Sequence, residues 1–405
     1  MAYPFSNNSC NPWLDRTTPC TIGNHFVYAI NATDPIHLQR GISFAQQHNI
    51  RLVIRNTGHD YLGRSTGAHS LALWTHNFKS IELLDYRAST YTEPAIKMGA
   101  GVLPIEAFRF ADSHNMVVVG GNCPTVGIAG GYTQGGGISA LSSVHGLSAD
   151  QVLEWTVITA DGDGAVPNSE ASTDAIHAAF KAFITIQLPA LVDRGIYILW
   201  VLSPVGFYLE ARTAMGLHKE ELDDLLLPTL SILKDVQLAY NYSSFETPTF
   251  LGTYERAPGM WNVSDYIPGG RLISRSLLES DPDGLVAILG RIGLQTLLTG
   301  VSFNVDTTRS GISSPDEVAV NPYLRESMFN LFFGLPMDYQ DWDASLARVD
   351  KITNDYLNEL EKVAPNGGAY LNEADVAQPD FQTKFYGSHY PRLESIKQSK
   401  NSRRE

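Results

Sequence analysis

The sequence predicts an α+β protein of two domains followed by a short C-terminal segment. Its 405 residues exceed what one hydrophobic core usually organises, at about 100–200 residues per domain. The first 165 residues alternate short strands with helices and are dense in glycine. From Thr173 glycine becomes rarer, helical patterns lengthen and strand-like runs lie between them. This second pattern is typical of an antiparallel sheet covered by helices on one side. We therefore predict domains at residues 20–165 and 170–360 and a C-terminal segment at 361–405.

The composition excludes several classes of protein. With 43% hydrophobic and 18% charged residues, the chain reads as soluble and globular. A formal net charge of −14 argues against nucleic acid or an anionic membrane as the main partner. No apolar run reaches the ~18 residues of a membrane helix, and the N-terminus lacks the pattern of a signal peptide. Compartment and oligomeric state are left open by the sequence.

Three cysteines are too few for a disulfide scaffold or a cysteine-rich zinc module. Cys10 and Cys20 would pair if the chain met an oxidising compartment, which would leave Cys123 alone. The sequence also lacks the motifs G-x-G-x-x-G, G-x-x-x-x-G-K-S/T, H-E-x-x-H, C-x-x-C and G-x-S-x-G. A dinucleotide-binding fingerprint, a P-loop, a metal centre and a hydrolase elbow are therefore not expected.

Start signals and periodicity predict the individual elements. Asp34 and Pro35 start a helix in which Leu38, Ile42 and Ala45 share one face. Further helices are predicted at Pro104–His114, Thr173–Val192, Lys219–Val236, Leu285–Leu298 and Asp343–Val363. Strands are predicted at Ile50–Ile54, Ile96–Val102, Met116–Val119, Val152–Ala160, Ile196–Leu202 and Val301–Val305.

A polar loop directly follows the strand Ile50–Ile54. The loop consists of Arg55, Asn56, Thr57, Gly58, His59 and Asp60. A strand that ends in small and polar residues can direct several backbone N–H groups at one anion. We interpret the loop as a cofactor-holding segment with His59 at its reactive tip. The alternative is an ordinary loop histidine with a satisfied hydrogen bond.

A second dense segment spans Asn122–Gly137, in which six of sixteen residues are glycine. A linker of this glycine content would carry serine and charge, whereas this one carries Val126, Ile128 and Tyr132. Backbone packed against a flat or phosphorylated ligand needs such glycines, because side chains would collide with the ligand. Tight turns alone are the alternative. The residues predicted to bind the cofactor here are Cys123, Thr125, Val126, Gly127, Gly130, Gly131, Gln134, Gly135, Gly136, Gly137, Gly146, Leu147 and Asp150.

Taken together, these segments resemble a known family. R-x-T-G-H-D-x-x-G-R-S, C-P-T-V-G-x-x-G-G-x-x-x-G-G-G and H-G-L-x-x-D occur at residues 55–65, 123–137 and 145–150. Gly368–Asp375 and Phe385–Gly387 are similar to a C-terminal signature of the same family. The sequence resembles the FAD-linked oxidases of the vanillyl-alcohol-oxidase and p-cresol-methylhydroxylase type, and among them the berberine-bridge-enzyme-like oxidases. The resemblance covers most of residues 10–397.

The resemblance implies a covalent FAD and a redox reaction. It implies a bond from the His59 imidazole to the methyl carbon at flavin position 8 and, at the position of Cys123, a second bond to ring carbon C6. For Cys123 the alternative is a small buried residue. The backbone of residues 55–60 would hold the pyrophosphate, and Tyr370 and Asn372 would face the flavin as catalytic residues. For Tyr370 a core aromatic is the alternative, and a core position is expected for Tyr208, Tyr240, Trp261, Phe332 and Phe333.

The implied reaction is that of an oxidase. A small organic substrate or secondary metabolite gives a hydride to the flavin, and O₂ takes the electrons with release of H₂O₂; a dehydrogenase is the alternative among enzymes. One part of the family pattern is absent: after Asp161-Gly162 a glycine-rich stretch normally completes the flavin domain, whereas residues 167–173 lead into the next domain. A truncated chain, or a degenerate and inactive flavin-binding relative, is therefore the second reading.

Overall fold

The computed structural model of the chain describes residues 9–88, 91–155, 180–203, 206–235, 242–256, 265–365 and 367–401. Within these ranges the strands are β1 (Tyr28–Asn31), β2 (Leu52–Arg55), β3 (Leu71–Trp74), β4 (Ile81–Asp85), β5 (Pro94–Met98), β6 (Tyr197–Ser203), β7 (Gly206–Thr213), β8 (Tyr266–Ser274), β9 (Leu298–Ser302) and β10 (Ser327–Pro336). The α-helices are Pro35–Gln47, Pro104–Asp112, Ser142–His145, Leu188–Asp193, Lys219–Asp235, Phe250–Tyr254, Arg275–Ser280, Pro282–Gly293, Thr307–Ser310, Trp342–Lys351, Leu357–Val363, Phe381–Tyr386 and Tyr390–Asn401.

The N-terminal part contains two small sheets. Strands β1, β3 and β2 form a parallel sheet in that order, and β4 pairs with β5 antiparallel. The helix Pro35–Gln47 begins as predicted, because the Asp34 carboxylate accepts a hydrogen bond of 2.9 Å from the backbone N–H of Ile36. Strand β2 spans Leu52–Arg55, so the polar loop leaves the sheet at Asn56, one residue later than the sequence predicts.

The second part is built on an antiparallel sheet in the order β7-β6-β9-β10-β8. Because side chains alternate along a strand, each strand presents two faces. Trp200, Leu331 and Phe333 lie in a core that the sheet shares with the helices. Gly300 is required opposite Trp200, since a Cβ there would lie 1.9 Å from the indole ring. The predicted architecture, an antiparallel sheet with helices packed on one face, is confirmed.

Several predicted elements differ from the structure. Met116–Val119 is not a strand, because strand-like residues form a ladder only beside a partner, and no described segment pairs with them. The helix predicted at Leu285–Leu298 ends at Gly293, since Leu298 begins β9 and pairs with β6 and β10. For the same reason the strand predicted at Val301–Val305 is shifted to β9. The strand predicted at Val152–Ala160 is described only over residues 152–155, which form no ladder. Residues 156–179 lie outside the described residues, and so does the position at which the family's glycine-rich stretch is missing.

Side-chain contacts join the two parts. Asp150 and Arg325 form a buried ion pair with Nη–Oδ distances of 2.6 and 2.7 Å. The Phe108 ring packs edge-on against Phe250 and Tyr254. The helix Pro104–Asp112 therefore lies directly against the second part of the chain.

The N-terminal segment is attached to the second part as well. Asn11 Nδ2 donates to the Tyr339 carbonyl at 2.5 Å, and Trp13 stacks on the Tyr339 ring. Cys10 and Cys20 are bonded as a disulfide, as the sequence allows. No helix within the described ranges is long and apolar enough to cross a bilayer.

Candidate active site

A large cavity of about 4530 Å³ lies between the two parts of the chain. Ligand pockets for drug-sized molecules enclose roughly 300–1,000 Å³, so the cavity has room for an extended cofactor with a substrate beside it. Its walls include residues 56–61, much of residues 121–135, residues 370–373 and one face of the five-stranded sheet.

The two candidate attachment residues lie beside the same hydroxyl. His59 Nε2 is 2.8 Å from Thr125 Oγ1, and Cys123 Sγ is 3.6 Å from that oxygen. Both His59 and Cys123 line the cavity, and Cys123 is a free thiol. Burial lowers the pKa of His59, so its imidazole is neutral near pH 7. The structure therefore brings together two nucleophiles that are 64 positions apart in the sequence.

The polar loop after β2 is held by hydrogen bonds to neighbouring segments and by a left-handed glycine. Gly58 has a φ of +87°, and a Cβ there would lie 2.5 Å from the Arg55 guanidinium. Asn56 donates to the Ala100 carbonyl at 2.6 Å, while its own carbonyl accepts from Trp74 Nε1 at 3.0 Å. Residues 56–60 line the cavity, whereas the Arg55 guanidinium lies over the Phe26 ring.

Asp60 is a half-buried acid at the end of the loop. Burial raises the pKa of its carboxyl to about 7, and the adjacent Arg64 opposes that rise. The carboxylate accepts the backbone N–H of Ser65 at 2.9 Å. Its oxygens therefore fix the chain just after the candidate attachment residue.

Some glycines of the segment Asn122–Gly137 pack closely against other residues, whereas others have open space where a side chain would lie. A Cβ at Gly127 would lie 2.1 Å from Asn56 Nδ2, and one at Gly135 would lie 2.4 Å from Asn372 Oδ1. At Gly130 and Gly131 a Cβ would meet no described atom within 4 Å, and both residues line the cavity. The backbone there is bare toward the cavity and leaves room for a flat group against it.

Four other predicted residues lie behind the cavity wall. The backbone carbonyls of Gly136 and Gly137 accept the N–H groups of Ala149 and Ser148 at 3.0 and 2.9 Å. Leu147 is fully buried in a hydrophobic cluster, and Gly146 packs against Ser310. These residues support the wall, and their contact with a cofactor stays a prediction.

Asp150, predicted as a cofactor ligand, has both carboxylate oxygens engaged by the protein. Arg325 contacts both oxygens, and the Leu147 N–H donates to Oδ2 at 2.9 Å. The side chain therefore links the glycine-rich region to residue 325.

Tyr370 and Asn372 project into the region beside the glycine segment. Asn372 Nδ2 donates to the Tyr370 hydroxyl at 2.8 Å and to the Tyr132 carbonyl at 3.0 Å. The Tyr370 hydroxyl also accepts the Ile138 N–H at 3.3 Å. Burial, and then the nearby Glu373 carboxylate, raise the pKa of Tyr370. Tyr370 therefore keeps its proton at neutral pH.

Glu373 is a candidate functional residue that the sequence interpretation missed. It lines the cavity, and its carboxylate accepts a hydrogen bond of 2.6 Å from Asn330 Nδ2 of β10. Burial raises the pKa of Glu373 to about 7, which the bond from Asn330 opposes. Its position next to the Tyr-x-Asn pair in the sequence was a signal, but the contact with Asn330 spans 43 positions and is visible only in the structure.

Other aromatic residues also reach this region. Asn122, beside Cys123, donates to the Tyr197 hydroxyl at 2.6 Å, and Tyr254 donates to the Asn122 carbonyl at 2.7 Å. Phe332 lines the cavity, so its predicted core position is wrong, because it lies on the opposite face of β10 from the buried Phe333. The side chain of Tyr208, and Tyr240 and Trp261 as a whole, lie outside what the structure describes.

The cavity fits an FAD on its own chemistry. Bare backbone at Gly130 and Gly131 would accept a flat ring, and Asn56 Oδ1 is buried without a hydrogen-bond partner in the described part of the chain. His59 and Cys123 provide nucleophilic atoms at one end. No group of three metal-binding side chains occurs among the described residues.

Comparison with known proteins gives consistent matches. The profile of a family described as "FAD binding domain" matches residues 28–164, and one described as "Berberine and berberine like" matches residues 369–399. The FAD-linked oxidoreductase sor8 of Hypocrea jecorina is 35% identical over 438 residues, which cover 97% of this chain and 75% of that protein.

Solved structures resemble the chain along almost its whole length. The VAO-type flavoprotein MtVAO615 of Myceliophthora thermophila superposes with a TM-score of 0.86 at 30% identity, covering 98% of this chain and 81% of that one. The glucooligosaccharide oxidase of Acremonium strictum, whose structure is described with a 6-S-cysteinyl, 8α-N1-histidyl FAD, superposes with a TM-score of 0.66 at 13% identity. That alignment covers 92% of this chain and 89% of the oxidase.

Proposed function

This protein belongs to the VAO-type FAD-linked oxidoreductases with a berberine-like C-terminal segment, and from that premise we propose that it is an oxidase with a covalently bound flavin. A small organic substrate gives up a hydride, and O₂ takes the electrons and is released as H₂O₂. The observation that carries the proposal is the convergence of His59, Cys123, the open glycine backbone and Glu373 on one cavity. The alternative among enzymes is a dehydrogenase, which would oxidise the same kind of substrate but pass the electrons to an acceptor other than O₂.

The covalent link is assigned to His59 Nδ1, with Cys123 as the second attachment point. His59 Nε2 is engaged by Thr125, so Nδ1 is the ring nitrogen left for a bond. The solved glucooligosaccharide oxidase carries its flavin on a histidine N1, the atom called Nδ1 here, and on a cysteine. Neutral imidazole and thiolate are suitable nucleophiles.

The remaining cofactor contacts follow from the walls of the cavity. Backbone groups of residues 55–60 would hold the pyrophosphate, and residues 127–135 would lie along the ribityl chain and the ring. When bound, FAD supplies the acceptor for a hydride. The protein's own residues hold the substrate, exclude water and accept its proton.

Glu373 is the residue best suited to take a proton from the substrate. A general base works best when its pKa lies near the operating pH, and that of Glu373 is about 7. Tyr370 keeps its proton and, with Asn372, forms a fixed hydrogen-bonding pair on the same wall. We therefore assign Tyr370 and Asn372 to substrate positioning and Glu373 to proton transfer.

The sheet side of the cavity indicates the kind of substrate. Leu199, Val301 and Phe332 present apolar atoms, and Thr299 adds a hydroxyl on the same face. Apolar walls with few polar groups favour a molecule with an apolar or aromatic skeleton and an oxidisable alcohol or amine carbon. Secondary-metabolite intermediates fit this description.

The purified protein tests the proposal in two steps. Intact mass under denaturing conditions and the visible spectrum report the cofactor and its attachment together. Anaerobic mixing with a panel of alcohols and amines should then bleach the flavin, and readmitting air should restore the colour with uptake of O₂. Bleaching without reoxidation by air would identify a dehydrogenase. A flavin that no substrate bleaches would support the reading as an inactive relative.

A further inference from the structure

The Thr125 hydroxyl contacts both proposed attachment residues. Its oxygen lies 2.8 Å from His59 Nε2 and 3.6 Å from Cys123 Sγ. The residue stands two positions after Cys123, and only folding places it against the loop at His59. The hydroxyl therefore contacts both residues that the proposed function bonds to the flavin, at Cys123 through the bonding sulfur and at His59 through the ring nitrogen that does not form the bond.

The tautomer of His59 decides which of its ring nitrogens is left for a bond to the flavin. A hydroxyl has one hydrogen to donate and two lone pairs to accept with. If Thr125 donated to Nε2, the proton of the neutral ring would lie on Nδ1 and block its lone pair. If Nε2–H donates to Thr125, the Nδ1 lone pair is free and the hydroxyl hydrogen can turn to the Cys123 sulfur. A hydrogen bond to sulfur also favours the thiolate, the reactive form of the residue.

We propose that Thr125 is a positioning residue for flavin attachment: it accepts from His59 Nε2–H and thereby directs Nδ1 at the flavin, and it donates to Cys123 Sγ. The inference rests on the proposed function, since it presupposes a bond to His59. It adds that one hydroxyl sets the reactive nitrogen of the histidine and assists the second bond.

Each attachment replaces a C–H bond of the flavin by a bond to the protein. At His59 an N–C bond forms from Nδ1, and one C–H bond of the methyl group at ring position 8 breaks. The methyl hydrogen and the Nε2 hydrogen leave as two protons, and two electrons enter the ring. At Cys123 an S–C bond forms at flavin C6 and the C6–H bond breaks. The thiol hydrogen and the C6 hydrogen leave as two protons, and two electrons enter the ring. O₂, the oxidant of the proposed function, takes each electron pair and is reduced with two protons to H₂O₂.

Substitutions at residue 125 test the proposal in the full-length chain. Thr125→Val removes the hydroxyl at nearly constant volume, and Thr125→Ser keeps it. Flavin-free protein is mixed with FAD in air, and denatured intact mass is followed over time. Losing one hydrogen bond, at a net of about 0.5–1.5 kcal/mol, corresponds to roughly two- to twelvefold slower attachment in Thr125→Val. Thr125→Ser should attach flavin at close to the wild-type rate.

Peptide mapping locates the bonds. Trypsin cleaves after Arg55 and Arg64 and releases the His59 peptide Asn56–Arg64. In the wild type the flavin should join this peptide to the one that contains Cys123. At the time when wild-type cross-linking is complete, Thr125→Val should show mostly peptides that carry flavin on one residue or none.

A control separates attachment from binding. Thr125 itself, although predicted to bind the cofactor, is not among the residues that line the cavity. In a His59→Ala/Cys123→Ala background, Thr125→Val should therefore bind FAD non-covalently with a Kd within about twofold of its parent. A wild-type rate and complete cross-linking in Thr125→Val or in Thr125→Ala would overturn the inference. Absence of any flavin-bearing peptide from the wild-type chain would instead refute the covalent link of the proposed function.

Discussion

Two buried acids set the chemistry of individual residues in this protein. Burial raises the pKa of Asp60 and of Glu373 to about 7, from ordinary values of 3.8 and 4.5. Asp60 lies next to His59 and holds the following turn, whereas Glu373 opens onto the cavity beside Tyr370. Such shifts concentrate where acids take part in chemistry or brace the residues that do.

Glu373→Gln should lower the rate of flavin reduction by substrate by about 10²–10⁴-fold, the usual contribution of a positioned base. The wild-type rate should rise with pH through about 7, because the carboxylate is the active form, and the variant should lose this limb. Anaerobic stopped-flow measurements over a pH series check both effects. Glu279→Gln, at an exposed position away from the cavity, is the matched control. An unchanged pH limb in Glu373→Gln would assign proton transfer elsewhere.

The same two acids should make the flavin-free protein less stable as pH rises. Their folded pKa values lie above the unfolded values, so the folded state holds protons that unfolding releases between about pH 4 and 7. Their contribution to the free energy of unfolding is thus greatest below pH 4 and is lost as pH rises through about 7. Urea unfolding at pH 5 and 7.5 measures the difference. Asp60→Asn combined with Glu373→Gln should flatten it, and an unaltered slope would contradict the assignment.

At the scale of elements, the Asp150–Arg325 ion pair links the short 3₁₀ turn Ser148–Gln151 to the turn Pro322–Glu326 that precedes β10. Arg325 also donates to the Ser310 hydroxyl at 2.9 Å, so the pair holds three segments together. Both side chains are almost fully buried, at 3% and 0% exposure. Removing one partner would leave the other charge buried without compensation.

Arg325→Met should therefore destabilise the protein by about 3–5 kcal/mol in urea unfolding. Arg87→Met breaks the exposed pair with Asp85, at 68% and 69% exposure, and should cost under about 1 kcal/mol. The double variant Asp150→Leu/Arg325→Met should recover part of the loss, since no lone charge remains. A loss in Arg325→Met no larger than that in Arg87→Met would show that the buried pair is not structural.

Local signals predicted the elements that have local causes. The helix after Asp34 has its cap and first-turn proline in adjacent positions, and the helix from Lys219 has a long apolar period; both are confirmed. Met116–Val119 has strand-like residues, but a strand also needs a partner, which single-sequence patterns do not show. The role of Asn330 in contacting Glu373 depends on β10 lying over the C-terminal segment. The loop motifs identified His59 and Cys123 as candidate site residues. Their shared contact with Thr125 could not be predicted, because it depends on tertiary packing.

At the scale of the whole molecule, the cavity is bounded by both parts of the chain, so a bound cofactor contacts both. Binding to the folded state alone stabilises it by mass action. The His59→Ala/Cys123→Ala variant should bind FAD without a covalent bond, which would make this effect measurable.

Thermal unfolding of that variant should shift upward as FAD is added, by a free energy of about 2.7 kcal/mol at 100 times Kd. Adding Gly131→Leu should abolish the shift, because the new side chain meets no protein atom near its Cβ and occupies the cavity. The melting temperature without FAD should change little. A full FAD-dependent shift in Gly131→Leu would show that the flavin lies elsewhere.

The two faces of the five-stranded sheet carry residues with different roles. Leu199 and Trp200 are neighbours in the chain, yet one faces the substrate side of the cavity and the other lies in the helix-packed core. The same holds for Phe332 and Phe333 on β10. Selection can therefore change every second residue of these strands to suit a new molecule while the intervening residues preserve the fold. For directed evolution, Thr299 and Phe332 are the positions to vary first, because Leu199 and Val301 also pack against the buried cluster around Leu147.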